Sequence, residues 1–246
     1  MFNSLSTFFY TILYQPLFNL LVFLYNSIPG HDFGIAIILL TIIIRFALYP
    51  TSVKAVNSQK ALQRLQPQIQ EIQKKYKEDK EKQAKETLAL YKKEKINPFS
   101  GLLLALIQLP ILIALYQVFW EGLNPQKLVT LYSFVANPGQ ISGLFLNIID
   151  LSKPNLLFAI LAGITQYFQT KMLLPKSIGK IGGQDKAGDF AQMMQKQMVY
   201  FFPVFTVIIL MSLPSALGLY WTVSGIFSII QQYLILKKQQ PEIASK

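Results

Sequence analysis

Long apolar runs constrain this chain more than any other feature, and they recur at 33–49, 99–120, 155–173, 199–213 and 214–236. A helix rises about 1.5 Å per residue, so roughly twenty apolar residues cross the hydrocarbon core of a bilayer. With 52% hydrophobic and 14% charged residues, the composition is far from that of a soluble domain. The pattern predicts an all-α, polytopic membrane protein with five transmembrane helices.

A further apolar run at 8–25 is interrupted by Gln15, Pro16 and Asn19, and no Lys or Arg precedes it. A secretory leader carries a positive n-region, so a cleaved leader is not expected. Composition leaves open a sixth span or a helix lying in the interface. Tyr10, Tyr14 and Tyr25 favour the interfacial helix, because such rings settle at the headgroup level.

The chain has no cysteine and a single histidine, His31, which excludes disulfides and leaves little for metal or acid–base chemistry. Asp32, Glu121 and Asp150 fall at or beyond the ends of the runs, so no carboxylate pair lies inside a span. Neither an enzyme active site nor a cofactor is expected.

Charge sets an orientation. Of the 23 basic residues, 12 lie in 50–98, five in 171–198 and three after 236, all on one side of a five-span chain. Basic residues accumulate on the cytoplasmic side, which places the C-terminus inside and the N-terminus outside. The net charge of +11 follows from that sidedness and needs no DNA partner. Contact with ribosomal RNA is left open.

Residues 51–97 form the one long polar stretch. Leu62, Leu65, Ile69, Ile72 and Tyr76 recur at helical spacing and define a seam. Pro67 is expected to bend or restart that helix. The KEDKEK run at 77–82 suits a turn, after which Ala84, Leu88 and Tyr91 resume a seam. The result is a cytoplasmic helical hairpin, either a spacer or a mobile arm that meets substrates. A second loop, 174–198, opens with the Gly- and Lys-rich KSIGKIGGQDKAG and continues through Met193, Met194 and Met198.

Arg45 stands in the otherwise apolar TIIIRFALYP. At the bilayer centre a cation costs at least about 3 kcal/mol on insertion scales, and no acidic residue in a span is available to it. Its stem could also snorkel, since Pro50 lies only about 7.5 Å along the axis. Position alone leaves both readings open. Polar residues on other spans favour a hydrated cavity. Trp221, Ser224, Ser228 and Gln231 form one stripe, Gln166 and Gln169 share a face, and Gln108 and Gln117 point to opposite sides, with Gln108 assigned to the cavity. Each amide alone could equally be an interhelical tie.

With these residues in view, the chain resembles the YidC-type membrane protein insertases. The matching blocks are QPLFNLL at 15–21, RFALYP at 45–50, LQPQIQEIQKKYKED at 65–79, LYKKEKINPFSG at 90–101, LIQLPILIALY at 106–116 and PSALGLYWTVSGIFSIIQQ at 214–232. The resemblance implies an external segment with an interfacial helix at 1–32 and a first span at 33–50. It further implies a cytoplasmic hairpin at 51–98, spans two to five within 99–236, and a short cytoplasmic tail at 237–246. It is to the shorter form, without a large external domain.

The resemblance also implies a hydrophilic groove, open to cytoplasm and lipid, in which Arg45 attracts an acidic substrate segment. Gln108, Gln166, Gln169, Ser224, Ser228 and Gln231 would line and hydrate it, and Tyr220 with Trp221 would offer an amphipathic surface. The expected activity is insertion of membrane proteins into the bacterial cytoplasmic membrane without nucleotide hydrolysis. Nascent membrane proteins and membrane lipids are the expected partners, with the ribosome and the Sec translocon left open. A small anion transporter or channel and a purely structural assembly chaperone are the competing classes. Neither duplicated spans nor paired Gly/Pro breaks favour the transporter.

Overall fold

The computed structural model describes residues 2–97, 100–173 and 186–238. Residues 174–185 and those beyond 238 lie outside the described residues, as do the side chains of Met193, Met194 and Met198. The remainder of the expected 174–198 loop is helical from Lys186 onward, continuing into the apolar run that follows it.

The N-terminal run is a continuous helical rod: α1 (Phe2–Phe9), a π-helical turn at Tyr10–Tyr14, and α2 (Gln15–Ser27). The polar residues that interrupt its sequence are spent on one long loop, 122–155. Gln15 Nε2 donates to Thr130 O at 3.3 Å, and Asn19 Oδ1 accepts from Tyr132 N at 2.6 Å. Further along, Asn26 Nδ2 donates to Ala136 O at 2.6 Å and the Tyr25 hydroxyl accepts from Ser142 N at 3.0 Å. The loop carries a 3-10 turn at Pro125–Thr130 and a short hairpin pairing β1 (Leu144–Phe145) with β2 (Ile149–Asp150).

Asp32 caps α3 (Phe33–Ala47) by accepting from Ile35 N at 2.8 Å. Pro50 lacks an N–H and its ring crowds the carbonyl one turn back, so α3 ends and the chain turns by 63° into α4 (Tyr49–Lys75). Pro67 lies inside α4, which continues unbroken through it. α5 (Lys80–Lys93) starts early within the KEDKEK segment because Asp79 accepts from Lys82 N at 2.9 Å and caps it.

The first-arm seam is sheltered at Leu65 and Ile69. The second differs from expectation, since α5 buries no residue and Leu88 is 54% exposed. The arms meet through a polar tie instead, Gln83 Nε2 donating to Gln73 O at 3.2 Å.

The remaining helices are α6 (Ser100–Glu121), α7 (Leu156–Met172), α8 (Lys186–Leu210) and α9 (Ser215–Lys238). α9 packs against both α3 and α7, α8 leans on α7, and α2 covers α3 and α6. Phe18, Leu21, Phe33, Ile37, Leu115 and Val118 close the core where α2, α3 and α6 meet. The α7–α9 contact works through small residues. A Cβ on Gly225 would lie 2.6 Å from Thr165 Oγ1, so only glycine admits this approach.

Among the described residues two helices are long and apolar enough to cross a membrane, Ser6–Ser27 and Ser215–Lys237, and the bent pair α3–α4 would make a third. The apolar stretches Leu106–Glu121 and Val199–Leu210 are shorter. The chain is thus an all-helical polytopic membrane protein, with two or three of its described helices long and apolar enough to cross a bilayer.

Candidate functional site: a polar line along α9

Arg45 lies in the last turn of α3, one turn beyond Thr41, which is fully buried and donates its hydroxyl to Ile37 O. The guanidinium is half-buried and its Nε donates to Ser224 Oγ on α9 at 2.6 Å. No carboxylate pairs with it among the described residues. Glu121 and Asp150 instead pair with Lys127 and Lys153, each at 3.0 Å. A charge held this way keeps its stabilisation only if water or a ligand reaches its remaining donors.

α9 extends a polar row on either side of that bond. Towards its start, the Tyr220 hydroxyl accepts from Gln108 Nε2 of α6 at 2.6 Å. Towards its end, Gln231 Oε1 accepts from Ser52 Oγ of α4 at 2.7 Å, and Gln231 Nε2 donates to Tyr49 O at 3.5 Å. Ser228 is buried between Ser224 and Gln231 on the same face. From Tyr220 to Gln231 the row runs eleven residues, about 16 Å along the helix. It joins α3, α4, α6 and α9 through side chains that would otherwise be orphaned in an apolar surrounding.

The other expected site residues fall elsewhere. Gln166 accepts from Thr206 Oγ1 at 2.7 Å and so ties α7 to α8, away from Arg45's hydrogen-bonded set. Gln169 lies half-buried one turn further on the same helix. Trp221 is half-buried and packs on the apolar core beside Tyr220. Two participants were not singled out from the sequence, Ser52 and the Tyr49 carbonyl. They flank Pro50, and only the bend it imposes turns them towards α9. Gln232, next to Gln231, is buried with its Oε1 lacking a partner among the described residues.

Among the described residues the arrangement presents one cation without a carboxylate partner, held at Nε, beside hydroxyls and amides that can exchange hydrogen bonds with a guest.

Residues 23–242 match the family model described as 60Kd inner membrane protein. A protein of Fusobacterium nucleatum named membrane protein insertase YidC is 34% identical over 228 residues, covering 92% of this chain and 98% of that one. A Clostridium tetani protein of the same name is 35% identical over 219 residues, covering 89% of this chain and 88% of its own length. A longer relative with that name, from Syntrophus aciditrophicus, is 37% identical over 91% of this chain, which spans 36% of it. A match of this extent in both directions establishes that the chain belongs to the YidC family of inner membrane proteins.

Proposed function

We propose that the chain is a membrane protein insertase in which the polar line on α9 is the floor of a hydrated groove, open to the cytoplasm and to lipid. The observation that carries this reading is the Arg45–Ser224 hydrogen bond, which holds an unpaired cation against a row of buried polar side chains. The guanidinium attracts an acidic or polar substrate segment, and Gln108, Ser224, Ser228 and Gln231 replace part of the water it loses. The substrate's own apolar helix then partitions into lipid and supplies the driving force. No nucleotide is consumed.

In this reading the N-terminus is outside and the C-terminus cytoplasmic, with α4 and α5 as the cytoplasmic hairpin. The four ties from α2 to the 122–155 loop support an interfacial α2. Gln15, Asn19, Tyr25 and Asn26 reach that polar loop along the whole helix, as a helix lying flat under an external loop would. Tyr220 and Trp221 offer the substrate an amphipathic edge, and Gln166 and Gln169 belong to the flank at α7. Nascent membrane proteins are the substrates, and ribosome contact rests on the cytoplasmic cations.

Crosslinking from position 108 and from position 221 to a stalled nascent single-span protein tests the proposal. Adducts at both are expected, and adducts only at lipid-facing positions such as 164 would remove the groove from the mechanism.

A further inference from the structure

A second concavity lies on the opposite flank of α7, where it meets α8. Its walls are Ile160, Gly163, Ile164, Phe168, Pro203 and Val204, all apolar, and its volume is about 530 Å³. Gly163 sets the close approach of its two walls. A Cβ there would lie 2.6 Å from Val207 Cγ2 and 3.1 Å from Pro203 O. Val204 and Ile164 remain 60% and 46% exposed, so the furrow opens to the membrane rather than to the core.

One end of the furrow is chemically different. Tyr167 lines it there, and Lys171, one turn on, donates from Nζ to the Tyr167 hydroxyl at 3.2 Å with its ammonium 5.3 Å over the ring. Tyr200 of α8 packs on Tyr167 with ring centroids 6.0 Å apart. Tyrosine hydroxyls beside a lysine mark the headgroup level of a bilayer. Among the described residues Lys171 has no carboxylate partner, so its charge is available to an anion.

The dimensions choose the occupant. From Ile160 to Phe168 the furrow runs eight residues, about 12 Å, which is close to one leaflet of a roughly 30 Å hydrocarbon core. An acyl chain laid along that length covers the apolar wall and brings its headgroup to the end where Lys171 Nζ meets the Tyr167 hydroxyl, so length and charge together point to a lipid with an anionic head.

We propose that this furrow is a binding site for an anionic phospholipid, its acyl chain between α7 and α8 and its phosphate on Lys171 and the Tyr167 hydroxyl. The site depends on the chain's residence in a membrane and not on the groove at Arg45. It ties the polar loop end of α7 to α8, a pair otherwise joined by the Gln166–Thr206 bond and apolar contact.

The test is native mass spectrometry of the purified full chain in detergent, titrated with phosphatidylglycerol or phosphatidylcholine of equal chain length. The parent should retain phosphatidylglycerol preferentially, by about fivefold for one lysine at the headgroup level. Lys171→Gln should reduce its retention to that of phosphatidylcholine, and Lys171→Arg should restore the preference. Val204→Trp, at an exposed position, should lower retention of both lipids without changing the elution volume. Equal retention of the two lipids by the parent, or an unchanged preference in Lys171→Gln, would overturn the proposal. So would unaltered lipid retention in Val204→Trp accompanied by loss of binding to a hydrophobic single-span peptide, which would make the furrow a helix-docking face.

Discussion

Replacing Arg45 probes the proposed groove most directly, because the structure separates what its charge does from what its hydrogen bond does. Arg45 makes one described side-chain bond, from Nε to Ser224 Oγ. At an effective dielectric of about 20, a substrate carboxylate 4 Å from the guanidinium gains about 4 kcal/mol. Half-exposure and salt screening reduce this to about 2 kcal/mol, between tenfold and a hundredfold in an equilibrium constant. The deficit applies only to a substrate with a negative charge to place. Arg45→Ala is therefore expected to slow insertion of a substrate carrying one translocated Asp by at least about tenfold relative to the same substrate carrying Asn. Arg45→Glu should be worse, since it repels that Asp.

Stability should change little. Arg45→Ala leaves the buried Ser224 hydroxyl without its donor, a cost of about 1 kcal/mol, but it also removes a half-buried cation and strands no counter-charge. Arg45→Lys keeps the charge and loses the fork, so it should retain most of the discrimination with weaker orientation. The assay is insertion of the Asp/Asn substrate pair into vesicles at matched protein level. If Arg45→Ala inserted both members as fast as the parent, Arg45 would be a snorkelling residue and the electrostatic part of the mechanism would be wrong.

Exchange of residues 60–90 for a short flexible linker should leave a folded membrane protein by detergent gel filtration while insertion falls. It removes the Gln63 bond to Leu173 O and the sheltered Leu65 and Ile69, so thermal stability should drop modestly. Thr206→Val should cost about 1 kcal/mol in thermal unfolding by unpairing Gln166, yet leave the Asp/Asn discrimination intact. Asp150 is held below its ordinary carboxylate value by the Ser152 hydroxyl and then by Lys153, against an opposing effect of burial. A depressed native pKa contributes stability above the unfolded value that is lost as pH falls through the native one. Carboxyl NMR should therefore show Ser152→Ala raising the Asp150 titration midpoint. Deleting 237–246 should weaken ribosome co-sedimentation slightly at low salt, and complete loss would show that the tail dominates.

Much of the helix pattern was legible because hydropathy is local. The apolar runs marked α3, α6, α7, α8 and α9, and helical spacing placed Ser224, Ser228 and Gln231 on one stripe, although it assigned Trp221 to that stripe where the structure has Tyr220 bonded to Gln108. Spacing cannot say which neighbour a polar face meets. Gln166 and Ser224 look alike in sequence, yet one bonds Thr206 of α8 and the other Arg45 of α3. The seam at Ala84 and Leu88 failed for a related reason. Periodicity identifies a possible face, but burial needs a partner, and among the described residues α5 buries none of its side chains. Gln15 and Asn19 read as flaws in an apolar run because their acceptors and donors lie more than a hundred residues away.

The RFALYP segment shows how a few adjacent residues can build a site that no single one implies. α3 has 15 residues, about 22 Å of helix, shorter than the roughly 30 Å hydrocarbon core it would have to cross. Its cation therefore sits near the end of a short span, where water has the least distance to travel. Pro50 then removes a backbone donor and turns the chain by 63°, which directs Ser52 and the Tyr49 carbonyl onto Gln231 instead of along the axis of α3. Without that turn, Gln231 would be a buried amide with no partner from α4, a costly state in a membrane. The same proline thus ends α3 soon after Arg45 and closes the far end of the polar row, so the position of the cation and the bend that completes the row are consequences of one local sequence.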